Sequence, residues 1–312
     1  WRIARCWAGL WRRSRRFRRD GAWPHAVVVG YLGHFDVLLA RRLFPHVPLV
    51  LDHLIGASDT ATDRGVRGGL RQRLLRGLDD AALGAADVVV VDTEEHKAAL
   101  PESVQRRALV VAVGAPHEWY VGEAAPAAAD RPLRAVFFGL FTPLQGAPVI
   151  GAALAALVDD PVEVTMVGTG QDLAETRRLA SGNPRVRWLD WVAPDELPDL
   201  VAGHDVCLGI FGTAPKATRV VPNKVFQGAA AGCALVTSDT APQRRVLGDA
   251  AVLVPPGDPA ALAEALRTLA ADRSRLAVAR ASARKLAADA FTPARVVGPL
   301  HDRLLAVVSP EV

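Results

Sequence analysis

Residues 207–238 read CLGIFGTAPKATRVVPNKVFQGAAAGCALVTS, in the order strand, loop, helix, strand. CLGIF is a short apolar run closed by Gly212, the pattern of a strand buried on both faces of a parallel sheet. Pro222 and Asn223 predict a helix start, with the Asn side chain placed to accept from the first-turn N–H groups. VFQGAAAG is a small-residue helix stopped by Gly232, and ALVTS is the next strand. A helix N-terminus just past the carboxyl end of a parallel strand is where doubly wound sheets bind anions.

The loop is also rich in the scarcer cation. Of 37 Lys and Arg residues only Lys97, Lys216, Lys224 and Lys285 are lysines, and two of these lie here with Arg219 between them. An isolated K-x-x-R is more often a solvated loop. In a strand–loop–helix setting, Lys216, Arg219 and Lys224 form a candidate diphosphate site, with ammonium groups, a guanidinium fork and backbone donors together.

The segment APKATRVVPNKVFQGAAAGCALVTSD resembles the donor-binding segment of retaining, family-4-type glycosyltransferases of the GT-B fold, many of which carry Pro-Asn-Lys-x-x-Glu before an Ala-rich helix. The likeness continues upstream in VFFGLFTPLQG and downstream through the last third of the chain. It implies two Rossmann-like parallel-sheet domains facing across a cleft, and transfer of a sugar from a nucleotide-diphosphate donor to an acceptor with retention. Gly139, Phe141, Gln145, Gly146 and Gly168 are then expected at the donor, with the backbone of Trp191 and Val192 near the base. Asn223, Lys224 and Gln227 complete the set. His53, after the strand PLVLDH, matches a cleft histidine of the family, so His53, Asp52 and Lys224 are the expected catalytic residues. Relatives carry Glu where this chain has Gln227, and also near Arg219 and Arg245. The alternative is a non-catalytic nucleotide- or sugar-binding homologue.

Composition fits this outline. The chain of 312 residues is long enough for two domains with their own cores, and half its residues are hydrophobic. A net charge of +4 suits anionic small ligands better than nucleic acid. Cys6, Cys207 and Cys233 form no CxxC pair, which points to a reduced, cytoplasmic compartment. The eight histidines show no metal-ligand spacing, and neither a P-loop nor a G-x-S-x-G elbow occurs, so no metal or cofactor besides the nucleotide sugar is expected.

In chain order, residues 1–20 predict a basic amphipathic helix carrying Ile3, Trp7, Leu10, Trp11 and Phe17 near one face. Such a helix suits either an anionic inner-membrane surface or packing against a sheet. Apolar runs at AVVVG, PLVLD, DVVVVD and ALVVAV alternate with helical stretches, the pattern of a parallel α/β sheet. Beyond PLVLDH, Asp59, Asp63 and Arg64 belong to a D-T-x-x-D-R stretch also seen in the family. The expected organisation is an acceptor-side domain over 1–122, lacking its first strands, and an Ala/Pro-rich linker over 123–132. A donor-side domain follows over 133–290, and a C-terminal helix over 291–312 returns to the first domain. Asp195 and Asp258 are the expected N-caps of two helices in the donor-side domain.

Overall fold

The computed structural model describes residues 2–54, 56–58, 68–121 and 131–308. The expected linker up to residue 130, and Asp59, Asp63 and Arg64, lie outside these. The chain divides into two compact units, one running to Val111 and resuming at Val297, the other spanning Ala112–Val296.

The first unit contains α1 (Arg2–Asp20), β1 (Val27–Val29), α2 (His34–Leu43), β2 (Leu49–Asp52), α3 (Gly69–Ala85), β3 (Val88–Val91), α4 (Glu94–Ala99), α5 (Glu102–Gln105) and β4 (Ala108–Val110). Its strands pair in parallel in the order β1-β2-β3-β4. Strand alternation sends Leu49, Leu51, Val89 and Val91 into one core, which includes Val37 of α2 and Leu83 of α3. Val50, Val88 and Val90 point the other way, where Leu300, Leu304 and Val307 of the last helix cover them. A strand with both faces covered reads as an unbroken apolar run, and VVVV of β3 is buried throughout.

The second unit contains β5 (Leu133–Phe138), α6 (Ala147–Ala155), β6 (Val162–Val167), α7 (Leu173–Leu179), β7 (Val186–Leu189), α8 (Leu197–Ala202), β8 (Val206–Leu208), α9 (Asn223–Ala230), β9 (Ala234–Ser238), α10 (Ala241–Leu247), β10 (Ala251–Val254), α11 (Pro259–Ala271) and α12 (Arg273–Leu286); α13 (Pro293–Val308) begins there. The sheet order is β10-β9-β8-β5-β6-β7, all parallel. The chain therefore steps outward from β5 to β7, then returns to β8 and steps the other way. That reversal makes the carboxyl ends of β5 and β8 the switch point of a doubly wound sheet, where ligands bind.

One buried carboxylate and one helix cap organise this unit. Asp205 accepts both guanidinium N–H groups of Arg131 at 2.7 and 2.8 Å and the Arg134 N–H at 2.9 Å, with Arg280 of α12 at 3.6 Å. Asp258 caps α11 by accepting from Ala260 and Ala261, and Leu262, Leu266 and Leu269 of that helix are buried.

Several local readings change. The N-cap of α9 is Pro222, so Asn223 is the first helical residue, exposed, and no side chain caps this end. Pro222 fills the cap site in extended backbone and its ring offers no acceptor. Glu196, not Asp195, precedes α8. The hydrogen-bonded part of CLGIF ends at Leu208, although Gly209, Ile210 and Phe211 stay buried. In α1, Trp7 donates to Asp36 of α2 at 2.6 Å and Ser14 is buried, while Leu10, Trp11 and Phe17 are exposed. This helix thus shows both a packed side and exposed aromatics. Among the described residues no helix is long and apolar enough to cross a membrane.

Candidate functional site

At the switch point the loops after β5 and β8 are clipped together by their backbones. Phe211 N–H donates to Gln145 C=O at 2.9 Å. Gly146 has φ +65°, and a Cβ built on it would lie 2.3 Å from Gly212 N. A Cβ on Gly212 would lie 2.4 Å from the Pro143 carbonyl oxygen. The two glycines thus let two backbones touch, which no larger residue allows.

Into this junction runs Lys224, in the first turn of α9. Phe226, Val225 and Ala229 anchor that helix on its buried face, so Lys224 follows them inward and is only 4% exposed. Its Nζ donates to Gln145 Oε1 and stands 3.8 Å from the centre of the Phe137 ring. Gly139 has φ +136°, and a Cβ there would come within 3.4 Å of Nζ. Among the described residues no carboxylate pairs with this ammonium. Burial pulls its pKa down from 10.5 to about 7, with Cys207 acting weakly in the opposite sense. Burial likewise pushes the Cys207 thiol up to about 12. A buried cation without an anion is costly, and such sites are where proteins meet anionic ligands.

The glycine turn after β6 packs against the same loop. Gly168 has φ +125°, and a Cβ on it would lie 2.0 Å from the Gly139 carbonyl oxygen. The open cavity of about 490 Å³ in this unit lies elsewhere, bounded by Arg134, Glu163, Arg187 and His204 near the amino ends of β5–β7.

Residues 132–272 match the family described as glycosyl transferases group 1. No curated protein matches the chain in sequence. In structure, the chain is similar to sucrose-phosphate synthase from Thermosynechococcus elongatus, with TM-score 0.70 and 18% identity over 94% of this chain and 77% of that one. It is also similar to Anabaena HepE in complex with UDP, with TM-score 0.70 and 16% identity over 89% and 78%. A third likeness is to a UDP-forming α,α-trehalose-phosphate synthase from Burkholderia xenovorans, with TM-score 0.65 and 13% identity over 88% and 72%. At these identities the likeness establishes the fold, two parallel-sheet α/β domains of the GT-B type.

Within the transferase-like sheet, the structure brings together Gly139, Gln145, Gly146, Gly168 and Lys224. Phe141 does not join them. Its ring is fully buried against Phe137 and Trp188, with centroids 5.3 and 6.5 Å away. Its N–H donates to Thr169 and its carbonyl accepts from Asp172. The loop turns Phe141 inward because an apolar ring after a glycine turn gains more from the core than from solvent. Trp191 is 72% exposed and Val192 half-buried, at the end of the strand β7. Lys216 and Arg219 are half-buried on the turns over 214–219, where Arg219 Nε donates to the Pro215 carbonyl at 3.2 Å. Gln227 is half-buried, three residues along α9 from Lys224. Phe137, which faces the ammonium, was not among the expected residues; its place in an apolar strand gave no signal.

In the first unit, Asp52 and His53 stand together at the carboxyl end of β2. The His53 N–H donates to Val90 C=O at 2.8 Å and its ring is 8% exposed. Burial, with Asp92 nearby, raises the Asp52 pKa above the usual carboxylate value. Asp92 itself lies 2.5 Å from His96 Nδ1. Among the described residues no group of three His, Cys, Asp or Glu is placed to hold a metal ion.

Proposed function

We propose that this protein is a retaining hexosyltransferase that uses a nucleoside-diphosphate sugar. The observation that carries the reading is Lys224, a buried ammonium at the switch point of a doubly wound sheet with no carboxylate partner among the described residues. A diphosphate is the ligand that supplies the missing charge. The titles of similar structures support a uridine nucleotide, since HepE is described with UDP and with UDP-glucose.

In this reading Lys224 neutralises the charge that builds on the departing diphosphate, which is the largest catalytic contribution available to such a site. Gln145 holds Nζ in place, and Gly139, Gly146 and Gly168 let the diphosphate approach the backbone. The first-turn N–H groups of α9, uncapped by any side chain, add fixed donors. Lys216 and Arg219 extend the positive field, Gln227 and the 191–192 backbone hold the nucleoside, and Asn223 lies beside the phosphates. His53 and Asp52 act at the sugar. The charge is carried by side chains, so the reading uses no metal. The acceptor is a glycan, a lipid-linked sugar or a small hydroxyl compound, and the exposed Leu10, Trp11 and Phe17 of the arginine-rich α1 offer peripheral contact with an anionic inner-membrane face.

The test is incubation with UDP-, GDP- and TDP-sugars, scoring free nucleoside diphosphate and binding by calorimetry. We expect one nucleotide class to bind and to be released from its sugar, and Lys224→Met to lose both. Binding that is unchanged in Lys224→Met refutes the assignment. Binding without release selects the non-catalytic reading that Gln227 and Arg245 favour.

A further inference from the structure

We propose that Asp79 and His34 are positioning residues that fix the ring orientation of His53. This inference rests on the reading of His53 as a group that acts at the sugar. None of the three side chains is near another in sequence, and three separate elements bring them together.

His34 is the first residue of α2, which starts directly after β1. The tight turn that makes this possible needs Gly33, where a Cβ would lie 2.3 Å from Val29 Cγ1. His34 is 5% exposed, and its ring meets that of His53 edge to face, with centroids 5.5 Å apart and planes at 83°. Its Nε2 lies 3.2 Å from Oδ1 of Asp79, a buried residue within α3. The same carboxylate accepts the N–H groups of Ala57 at 2.8 Å and Ser58 at 3.0 Å, four and five residues after His53.

One buried carboxylate therefore acts on His53 twice. It ties down the chain that leaves His53, and it holds the imidazole that forms a wall of the His53 ring. Gln72, about two turns earlier on α3, adds a bond from its amide to the Ser58 carbonyl at 3.2 Å. His34 together with the bonds from Ser58 and Ala57 outweighs the cost of burial and keeps the Asp79 carboxyl down at about 2, so it is an anion throughout the working range. Among the described residues, the other titratable groups at this end of the sheet include its neighbour Asp52, Asp92 after β3, and His96 on α4 paired with Asp92.

A buried, twice-bonded carboxylate behind two edge-to-face imidazoles is more than packing requires, since an apolar trio would fill the same volume without burying a charge. Groups behind a functional ring hold its orientation, and around metal-ligating histidines the loss of such partners commonly lowers activity 10- to 100-fold.

The experiment records side-chain ¹⁵N spectra of the histidine-labelled full chain, comparing wild type with Asp79→Asn and His34→Phe, and assigning His53 through His53→Ala. We expect the two ring-nitrogen shifts of His53 to differ between wild type and Asp79→Asn, as the ring loses its fixed setting. Should His34→Phe fail to fold, Asp79→Asn alone decides. Identical His53 shifts in wild type and variant overturn the proposal. This readout needs no turnover, so a wild-type protein that releases no nucleoside diphosphate from any nucleotide sugar defeats the functional reading and leaves the brace to be judged by its spectra. Where turnover is found, we expect Asp79→Asn to lower kcat about 10-fold with donor KM unchanged, and to cost nothing further in a His53→Ala background. An equal loss in both backgrounds also overturns it.

Discussion

Replacing Lys224 with methionine should make the ligand-free protein more stable while removing its ligand. In the folded protein burial lowers the Lys224 pKa from 10.5 to about 7. That difference corresponds to about 5 kcal/mol of disfavoured charge at 1.36 kcal/mol per unit. Two contacts offset part of it. The bond to Gln145 contributes about 1.5–3 kcal/mol, and the Phe137 ring about 1–2 kcal/mol. Methionine keeps the length and fills the slot with an apolar chain, so a net gain of up to about 2.5 kcal/mol is expected at pH 6.

The pH dependence has a definite sign. Between pH 7 and 10.5 the unfolded chain holds a proton on Lys224 that the folded protein has released, so wild-type stability rises with pH in that window. The methionine variant lacks this rise. Its advantage over wild type should therefore be largest at pH 6 and shrink toward pH 9. Urea denaturation at pH 6, 7.5 and 9 measures both quantities. A variant less stable than wild type at pH 6, or a difference that does not change with pH, refutes the argument that Lys224 is a costly buried charge.

Other positions give independent checks. Asp205→Asn removes the charge that three groups from Arg131, Arg134 and Arg280 surround, and should cost about 3–5 kcal/mol in denaturant melts. Gly146→Ala forces a Cβ to 2.3 Å from Gly212 N at φ +65°, and should cost at least about 1–3 kcal/mol while weakening nucleotide binding through the displaced Gln145. Asp79 has a folded pKa of about 2 against 3.8, so it contributes about 2 kcal/mol that is present above pH 4 and lost as pH falls toward 2. Acid unfolding of Asp79→Asn should show a correspondingly shallower slope in that range.

The sheets were legible because parallel strands covered on both faces write themselves as apolar runs, as VVVV of β3 and LRAVFF of β5 do. The switch point was legible too, since the loop and helix start that follow CLGIF carry two of the four lysines, Lys216 and Lys224. What could not be read was how deeply Lys224 is buried. Lysine is rarely found inside, and only packing of Val225, Phe226 and Ala229 on neighbouring elements turns that first turn inward. Phe141 was misplaced for the complementary reason, because a loop residue beside a glycine gives no sign that its ring belongs to the core. The Asp79–His34–His53 contact joins residues up to 45 positions apart, and no local periodicity marks it. The Pro222 cap shows that a helix start can be placed correctly and its capping chemistry still be misread.

The measurement that bears most directly on the central claim is the proton balance of UDP binding at pH 8, by calorimetry in two buffers of different ionisation enthalpy. With a pKa of about 7, Lys224 is about nine-tenths neutral at that pH before the ligand arrives. Wild type should take up close to one proton per UDP bound, and Lys224→Met should bind weakly with no uptake. Tight binding of UDP with no proton uptake by wild type would contradict the account.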